Sequence, residues 1–106
     1  MDHKQNFYKY QAQTTPHPLG LVVDHASGSY IYDNQGTAHL DFVAGVSACS
    51  VGHAHPEVVR AVQQQAASYR PVMVSGEYVQ TPAVERCGSL AGLMPKPLDT
   101  TYVVDS

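Results

Sequence analysis

"GSYIYDNQGTAHLDFVAGVSACSVGHAHPEVVRAVQQQ", residues 28–65, contains the changes of pattern that decide the fold. Runs of β-branched and aromatic residues within this stretch predict two strands, at residues 29–33 and 38–42, and a similar run before it predicts a third at residues 19–25. The three strands are expected to pair antiparallel. The two turns between them contain the Gly and Asn that hairpins favour. A stretch of small residues follows, and it predicts an irregular segment packed closely against other backbone.

Two amphipathic helices are predicted after this segment. The first begins at Pro56, where a missing N–H does no harm, and runs to about Tyr69, before Pro71. Its apolar stripe consists of Val58, Val62, Ala66 and Tyr69. The second begins with Thr81 as the cap and Pro82 in the first turn. Its predicted buried face consists of Val84, Cys87, Leu90 or Ala91, and Met94.

A short helix and a strand are predicted at the two ends. The first ten or so residues form a helix that places Phe7 and Tyr10 on one side. At the other end, "TTYVVDS", residues 100–106, is an apolar β-branched run between polar residues and predicts a buried strand. The expected fold class is therefore α/β, with a three-stranded antiparallel meander between helices.

The composition excludes several classes of function. A net charge of -3 and three scattered arginines, Arg60, Arg70 and Arg86, leave no basic stripe for nucleic acid. No apolar run approaches the roughly 18 residues that span a bilayer, so we expect no membrane partner and a cytoplasmic location. Charged residues make up only 14% of the chain, which indicates surface to be buried against other protein. Cys49 and Cys87 are expected to be buried free thiols.

The stretch "GHAHPE" is the first chemical candidate. His53 and His55 supply two potential metal ligands, with His39 or Asp41 as a third. A metal site needs three or four converging groups, and this spacing supplies two. Histidines that hydrogen-bond the local backbone are therefore the simpler interpretation.

Nucleophilic and cofactor chemistry find no complete site in these residues. Ser47, Cys49 or Ser50 near His53 lack both a Gly-x-Ser-x-Gly elbow and a third group to orient the histidine. The glycine spacing fits neither a dinucleotide loop nor a P-loop. None of the lysines has a context suited to a Schiff base; they are Lys4, Lys9 and Lys96.

Four linked motifs resemble the N-terminal part of class III pyridoxal-phosphate-dependent aminotransferases, the ornithine, acetylornithine and 4-aminobutyrate type. In the family's order and spacing, they lie at residues 28–36, 40–42, 44–47 and 52–56. The resemblance extends from about residue 18 to 106 and implies fold type I. It makes residues 1–50 part of the small domain, and residues 51–106 the entry to the large cofactor-binding domain, ending in that domain's first strand.

The resemblance also implies a function. A homodimer that binds pyridoxal phosphate would transfer an amino group from an amino donor to a 2-oxo acid. Ser106 matches the residue that opens the turn around the cofactor phosphate. The rest of that turn and the catalytic lysine are expected beyond this chain, so the 106 residues alone are expected to hold no catalytic residue and to be inactive.

The resemblance assigns substrate-facing positions in two segments. They are Val46 and Ser47 in the small-residue segment, and Gly76, Glu77 and Tyr78 in a loop, starting at Ser75, that is expected to reach the neighbouring subunit's site. Close packing of a small side chain is the open alternative for Ser47, and a solvated surface charge is the favoured alternative for Glu77. His53, His55 and Asp41 are expected to hold the local backbone. Cys49 and Ser50 stand where relatives often carry Val and Asn, so no substrate preference is implied.

Two other interpretations remain open. The chain is also suited to act alone as a non-catalytic interaction module that docks on a related aminotransferase dimer, and an in-frame continuation of the coding sequence into the phosphate turn discriminates against this. A small metal-binding domain that uses His53 and His55 predicts folding that depends on metal.

Overall fold

The computed structural model describes residues 2–72 and 76–104; Ser75 and Ser106 lie outside these ranges. The elements in the described ranges are α1 (His3–Tyr10), β1 (Val23–Ser27), β2 (Tyr30–Asp33), β3 (Ala38–Leu40), the single turn α2 (Ala44–Ser47), α3 (Pro56–Ser68) and α4 (Thr81–Leu93). The chain divides into two units, residues 1–63 and 64–106, with the division inside α3. The predicted α/β class is confirmed.

The start of the N-terminal helix α1 is fixed by the residue that precedes it. Asp2 is the N-cap, and its carboxylate accepts a hydrogen bond of 3.0 Å from the backbone N–H of Gln5. Such a cap satisfies one of the N–H groups that the first helical turn leaves unpaired. The helix ends at Tyr10, where the N–H of Gln11 still donates to the carbonyl of Phe7 at 3.1 Å.

The sheet is an antiparallel meander in the order β1-β2-β3, as predicted. The first strand begins at Val23, not at residue 19, because Gly20 has a φ of +62° that interrupts extended backbone. A register shift between Val23 and His25 places a bulge at Asp24. The third strand ends at Leu40, not at residue 42, because the side chain of Asp41 turns the chain there.

The two long helices form at the predicted places with small shifts of their ends. The helix α3 begins at Pro56 and ends at Ser68, one residue before the predicted end. The N-cap of α4 is Gln80, which puts Thr81 in the first turn rather than at the cap. No helix in residues 2–72 and 76–104 is long and apolar enough to cross a membrane.

The apolar faces of these helices are open to solvent. Every residue in the described ranges keeps part of its surface open to solvent. The stripe of α3, including Val58 and Val62, is largely exposed, and so are Val84 and Met94 of α4. The predicted buried face of α4 is thus only half covered, at Cys87, Leu90 and Ala91, because the described residues of its own unit form no second apolar layer against it. The predicted free thiols are confirmed, although Cys49 and Cys87 are half-buried rather than buried.

The C-terminal strand is not formed over residues 100–104. A β-strand is defined by its hydrogen-bonded ladder, and this segment has no ladder partner within the described chain. Asp105 and Ser106, which complete the predicted strand, lie outside the described residues.

Candidate functional site

The turn α2 has an unusual backbone. Its four residues all have positive φ: 52° at Ala44, 60° at Gly45, 57° at Val46 and 67° at Ser47. Left-handed backbone costs an L-residue roughly 1–2 kcal/mol, and a β-branched residue such as Val46 is among the least suited to it. Only Gly45 is free of this cost. The segment therefore needs support from its surroundings.

The side chain of Asp41 supplies that support at the start of the turn. Its Oδ1 accepts hydrogen bonds from the backbone N–H groups of Val43 at 2.8 Å and Ala44 at 3.0 Å. The backbone N–H of Asp41 donates to the carbonyl of Ser29 at 2.9 Å, which continues the strand pairing by one residue. Asp41 thus joins the end of β3 to the start of α2, and its predicted role of holding local backbone is confirmed.

Backbone hydrogen bonds close the far end of the turn. The N–H of Ser47 donates to the carbonyl of Val43 at 3.1 Å, and the N–H of Cys49 donates to the carbonyl of Ala44 at 2.9 Å. The hydroxyl of Ser50 donates to the carbonyl of Ser47 at 3.0 Å. The turn is therefore held from both sides.

The second oxygen of Asp41 is held by His53. The Nε2 of His53 lies 2.5 Å from Oδ2 of Asp41, and the two side chains are only 18% and 5% exposed. A histidine N–H that donates to a carboxylate forms a charge-assisted hydrogen bond, which is stronger than a neutral one. This contact links two segments that lie 12 residues apart in sequence.

The backbone of His53 is anchored to the β1–β2 hairpin. Its N–H donates to the carbonyl of Gly28 at 2.8 Å, and its carbonyl accepts from the N–H of Gly28 at 3.0 Å. The neighbouring Gly52 has a φ of +89°, and a Cβ there would lie 3.3 Å from the Cα and the carbonyl oxygen of Gly28. This close approach is one reason why glycine stands at position 52.

His55 interacts with the start of the following helix. Its carbonyl accepts from the N–H of Val59 at 2.9 Å, and its Nδ1 accepts from the N–H of Glu57 at 3.3 Å. His53 and His55 therefore both make local structural hydrogen bonds. In the described residues, no group of three or more His, Cys, Asp and Glu side chains is arranged to hold a metal ion.

The hydrogen bonds to Asp41 also set its protonation. The His53 ring lowers the pKa of Asp41 most, and the N–H groups of Ala44 and Val43 lower it further. All three interactions favour the ionised carboxylate, which is the form that accepts hydrogen bonds at both oxygens.

Two of the sequence-predicted substrate residues lie in α2. The side chain of Val46 is among the most exposed apolar groups of the chain, at 87%, and Ser47 is also exposed. The turn thus presents an apolar group and a hydroxyl outward while its backbone is tied inward.

The other three predicted substrate residues lie in the second unit. Gly76, Glu77 and Tyr78 line a shallow cavity of about 180 Å³ together with four residues that lead into and belong to α4: Val79, Gln80, Ala83 and Val84. The cavity is bordered by both polar and apolar groups and by one carboxylate, that of Glu77. The two predicted stretches belong to different units, and Ser106 lies outside the described residues.

The lysines do not provide a cofactor-binding site. Lys96 is exposed and lies 3.9 Å from the carboxylate of Asp99, and Lys9 lies over the ring of Tyr10 at 4.9 Å from its centre. Lys4 extends beside Gly20 on the exposed face of α1. A Schiff-base lysine needs a desolvated pocket. All three lysines are exposed, including Lys4, which borders an open cavity of about 360 Å³. The described residues therefore do not fit the attachment site of a carbonyl cofactor.

The left-handed backbone of α2 is the feature that sequence reasoning missed. Gly45 is its only direct signal, because Ala44, Val46 and Ser47 all disfavour positive φ. The contact between Asp41 and His53 also went unpredicted, although each residue was assigned a structural role.

Comparisons with known proteins identify the relatives of this arrangement. A sequence model of the family described as class-III aminotransferase matches residues 10–106. The acetylornithine aminotransferase of Methanopyrus kandleri is 33% identical over 107 residues, which covers 100% of this chain and 26% of that protein. The acetylornithine aminotransferase of Bifidobacterium longum is 38% identical over 76 residues, covering 72% of this chain and 17% of that protein.

Solved structures show the same likeness. The ornithine aminotransferase of Plasmodium yoelii has a TM-score of 0.74 and 27% identity, covering 87% of this chain and 24% of that one. The chain spans between 17% and 26% of the length of the two curated relatives described above.

Proposed function

This chain belongs to the class-III aminotransferase family, and we propose that it forms the N-terminal segment of an enzyme that uses pyridoxal phosphate to transfer an amino group from an amino donor to a 2-oxo acid. The observation that carries the proposal is the turn α2, whose strained backbone is held at both ends while Val46 and Ser47 stay exposed. Strained backbone concentrates at ligand-binding sites, where the surrounding structure maintains it.

The residues have distinct proposed roles toward the substrate. Val46 offers an apolar contact, and the Ser47 hydroxyl can donate to or accept from a polar substrate group. Glu77 offers a carboxylate that attracts the ammonium group of an amino donor, and Gly76 and Tyr78 complete the wall of its cavity. The names of the relatives make ornithine and acetylornithine the first donors to test.

We propose that residues other than those described make most of the contacts with the cofactor. Pyridoxal phosphate is implied by the family, and it supplies the electron sink that amino-group transfer requires. The described lysines do not fit its attachment, so we assign no chemical step to them. We propose that Ser106 contacts the cofactor phosphate, that residues 1–50 belong to the small domain, and that residues 51–106 lead into the large domain.

The assembly is proposed to be a cytoplasmic homodimer without a nucleic-acid or membrane partner. The exposed apolar faces of α3 and α4 support burial against further protein. The loop at residues 76–78 is the proposed contribution to the neighbouring subunit's site.

The direct test is to express the complete open reading frame that contains codons 1–106 and to assay it with pyridoxal phosphate, a 2-oxo acid, and ornithine or acetylornithine as donor. We expect amino-group transfer, and we expect Ser47→Ala to raise KM for the donor severalfold. Ser68→Ala is the matched control, because its hydroxyl lies on α3 and donates to the carbonyl of Gln64 at 3.3 Å. An open reading frame that ends at codon 106, with no transfer, would instead favour the interaction module.

A second test uses the 106-residue chain itself. Titration with pyridoxal phosphate, then borohydride reduction and peptide mapping, should give no single stoichiometric lysine adduct. A unique adduct at Lys4, Lys9 or Lys96 would contradict the proposal that the attachment lysine lies elsewhere.

A further inference from the structure

We infer that Asp41 is a positioning residue for the proposed substrate-facing turn. Its carboxylate anchors the entry to the left-handed turn α2, and His53 fixes that carboxylate to the β1–β2 hairpin. The conformational part of this inference stands on the hydrogen bonds alone, and only its consequence for the substrate rests on the proposed function.

The strain in α2 requires a specific support. Ala44, Val46 and Ser47 would each be more stable with negative φ, so an unsupported chain would leave the left-handed region. The two N–H groups at the start of the turn, those of Val43 and Ala44, converge on one oxygen of Asp41. The same pair of bonds also caps right-handed helices, and Val43 itself has a φ of -93°. The carboxylate therefore fixes the entry to α2, and the backbone hydrogen bonds at the far end hold the remainder of the turn.

The position of the carboxylate is itself determined by the sheet. The backbone N–H of Asp41 pairs with Ser29, and its Oδ2 pairs with the His53 ring. His53 in turn is held by two backbone hydrogen bonds to Gly28. Each of these partners lies at or near the β1–β2 hairpin or is bound to it. The start of the turn is therefore fixed in position by hydrogen bonds to the sheet as well as by bonds within the turn.

This arrangement has a functional consequence. If Val46 and Ser47 contact substrate, then the left-handed backbone decides where their side chains point. Loss of the Asp41 carboxylate would let the turn relax and would move both side chains. Because Asp41 touches no proposed substrate group itself, the loss should weaken substrate binding more than it slows the chemical step.

The conformational test is an NMR comparison of variants of the 106-residue chain. A positive φ brings the amide and α protons of an L-residue close, so the wild type should give strong intraresidue HN–Hα cross-peaks in residues 44–47, diagnostic at Ala44, Val46 and Ser47. Asp41→Ala should weaken them, while Asp41→Asn should retain them in part, because the amide oxygen can still accept from Val43 and Ala44. The nitrogen shifts of the His53 ring should change in both variants.

The matched control is Asp33→Ala. Asp33 also accepts from two backbone N–H groups and one histidine ring, but in the β2–β3 turn. It should leave the cross-peaks of residues 44–47 and the His53 ring unchanged. Retained cross-peaks in Asp41→Ala, equal losses in Asp33→Ala, or their absence in the wild type would each overturn the inference.

A second variant covers the case in which Asp41→Ala loses the dispersed spectrum altogether. The cross-strand contacts between Tyr32 and Ala38 report whether the sheet persists. If they vanish in Asp41→Ala, the result with Asp41→Asn and His53→Gln decides. We expect both to keep the sheet and to weaken the signature of α2; a sheet without any change in α2 would contradict the inference.

The functional arm uses the enzyme expressed from the complete open reading frame. Asp41→Ala should raise KM for the amino donor about tenfold, the effect of losing one hydrogen bond to a charged group, with a smaller change in kcat. Asp41→Asn should recover part of the loss, and Asp33→Ala should change neither parameter. An inactive wild type would refute the proposed function and leave the NMR result standing, whereas an active wild type with an unaltered Asp41→Ala would refute the positioning role alone.

Discussion

Asp33 and Asp41 make the same kinds of hydrogen bond in two different turns. Each carboxylate accepts from two backbone N–H groups at one oxygen and from a histidine Nε2 at the other. In the first cluster the partner is His39, at 2.9 Å. In the second it is His53, at 2.5 Å.

The two clusters differ in their surroundings and in the backbone they hold. His39 is 41% exposed and its partner Asp33 is 12% exposed, whereas His53 and Asp41 are more deeply covered. The first turn, residues 34–37, is described throughout and contains one positive φ, at Gly36, where it is tolerated. Asp41, in contrast, precedes the left-handed residues 44–47, which include Val46. The same side-chain chemistry therefore closes a relaxed hairpin in one place and maintains a strained turn in the other.

The largest difference should appear when alanine replaces the glycine of each cluster. Gly52→Ala adds a Cβ that meets the backbone of Gly28 at 3.3 Å and also places alanine at a φ of +89°. Gly36→Ala imposes a similar φ, +84°, in open space. Hydrogen exchange at the His53 amide should show that Gly52→Ala lowers the free energy of local opening by about 2–3 kcal/mol.

The Gly36 variant isolates the contribution of the contact. Exchange at the Thr37 amide, which donates to Asp33 at 2.8 Å, should show a loss of only about 1 kcal/mol, the effect of positive φ alone. Equal losses in the two variants would mean that the approach to Gly28 does not constrain position 52.

Acid should weaken both clusters, and protonation of Asp41 should release α2. The His53 ring and the backbone N–H groups hold the pKa of Asp41 below the ordinary value of 3.8, and His39 together with the N–H groups of Thr37 and Gln35 does the same for Asp33. With a folded pKa below the unfolded one, each carboxylate stabilises the fold fully above the ordinary value. That stabilisation is lost as the pH falls through 3.8 toward the lowered pKa.

The measurement is a titration from pH 6 to pH 2 that follows the carboxylate carbon shifts and the HN–Hα cross-peaks of residues 44–47. The cross-peaks should fade along with the titration of Asp41 and not with that of Asp33. In Asp41→Asn the dependence in this range should be absent, and a persistent dependence would assign the acid sensitivity to another group.

Relief of strain should have a smaller effect, of opposite sign. Val46→Gly removes the left-handed cost of about 1–2 kcal/mol but adds about 0.5–1 kcal/mol of chain entropy in the unfolded state. Exchange at the Ser47 and Cys49 amides should therefore show a net stabilisation of about 0.5 kcal/mol. Val51→Gly is the control, because Val51 is also exposed but has no positive φ, and it should destabilise the chain. A destabilising Val46→Gly would show that α2 stores no strain.

The sequence predicts the hairpin turn that Asp33 closes better than the strained turn that Asp41 supports. Alternation and turn residues locate the three strands and both long helices, because these depend on local periodicity. The strain in α2 has the opposite character: valine and serine favour other conformations, so local propensity points away from the observed backbone. The contact of Asp41 with His53 is nonlocal and depends on the pairing of His53 with Gly28, which no spacing rule reveals. The prediction that the apolar faces of α3 and α4 are buried was wrong for a related reason. Periodicity defines an apolar face but does not show what covers it.

The smallest loss of stability is expected at a third Asp–His pair, Asp24 and His25. Asp24 and His25 are adjacent in the bulge of β1, at 2.8 Å, and both side chains are mostly exposed. The ring of His25 also stacks on Tyr32 at 4.5 Å, so its position does not depend on the carboxylate. Asp24→Asn should therefore change the free energy of opening by less than about 0.5 kcal/mol, measured by exchange at the β1 amides. A loss as large as that of Gly52→Ala would mean that an adjacent Asp–His contact alone suffices to hold a turn, and the distinction drawn between the clusters would fail.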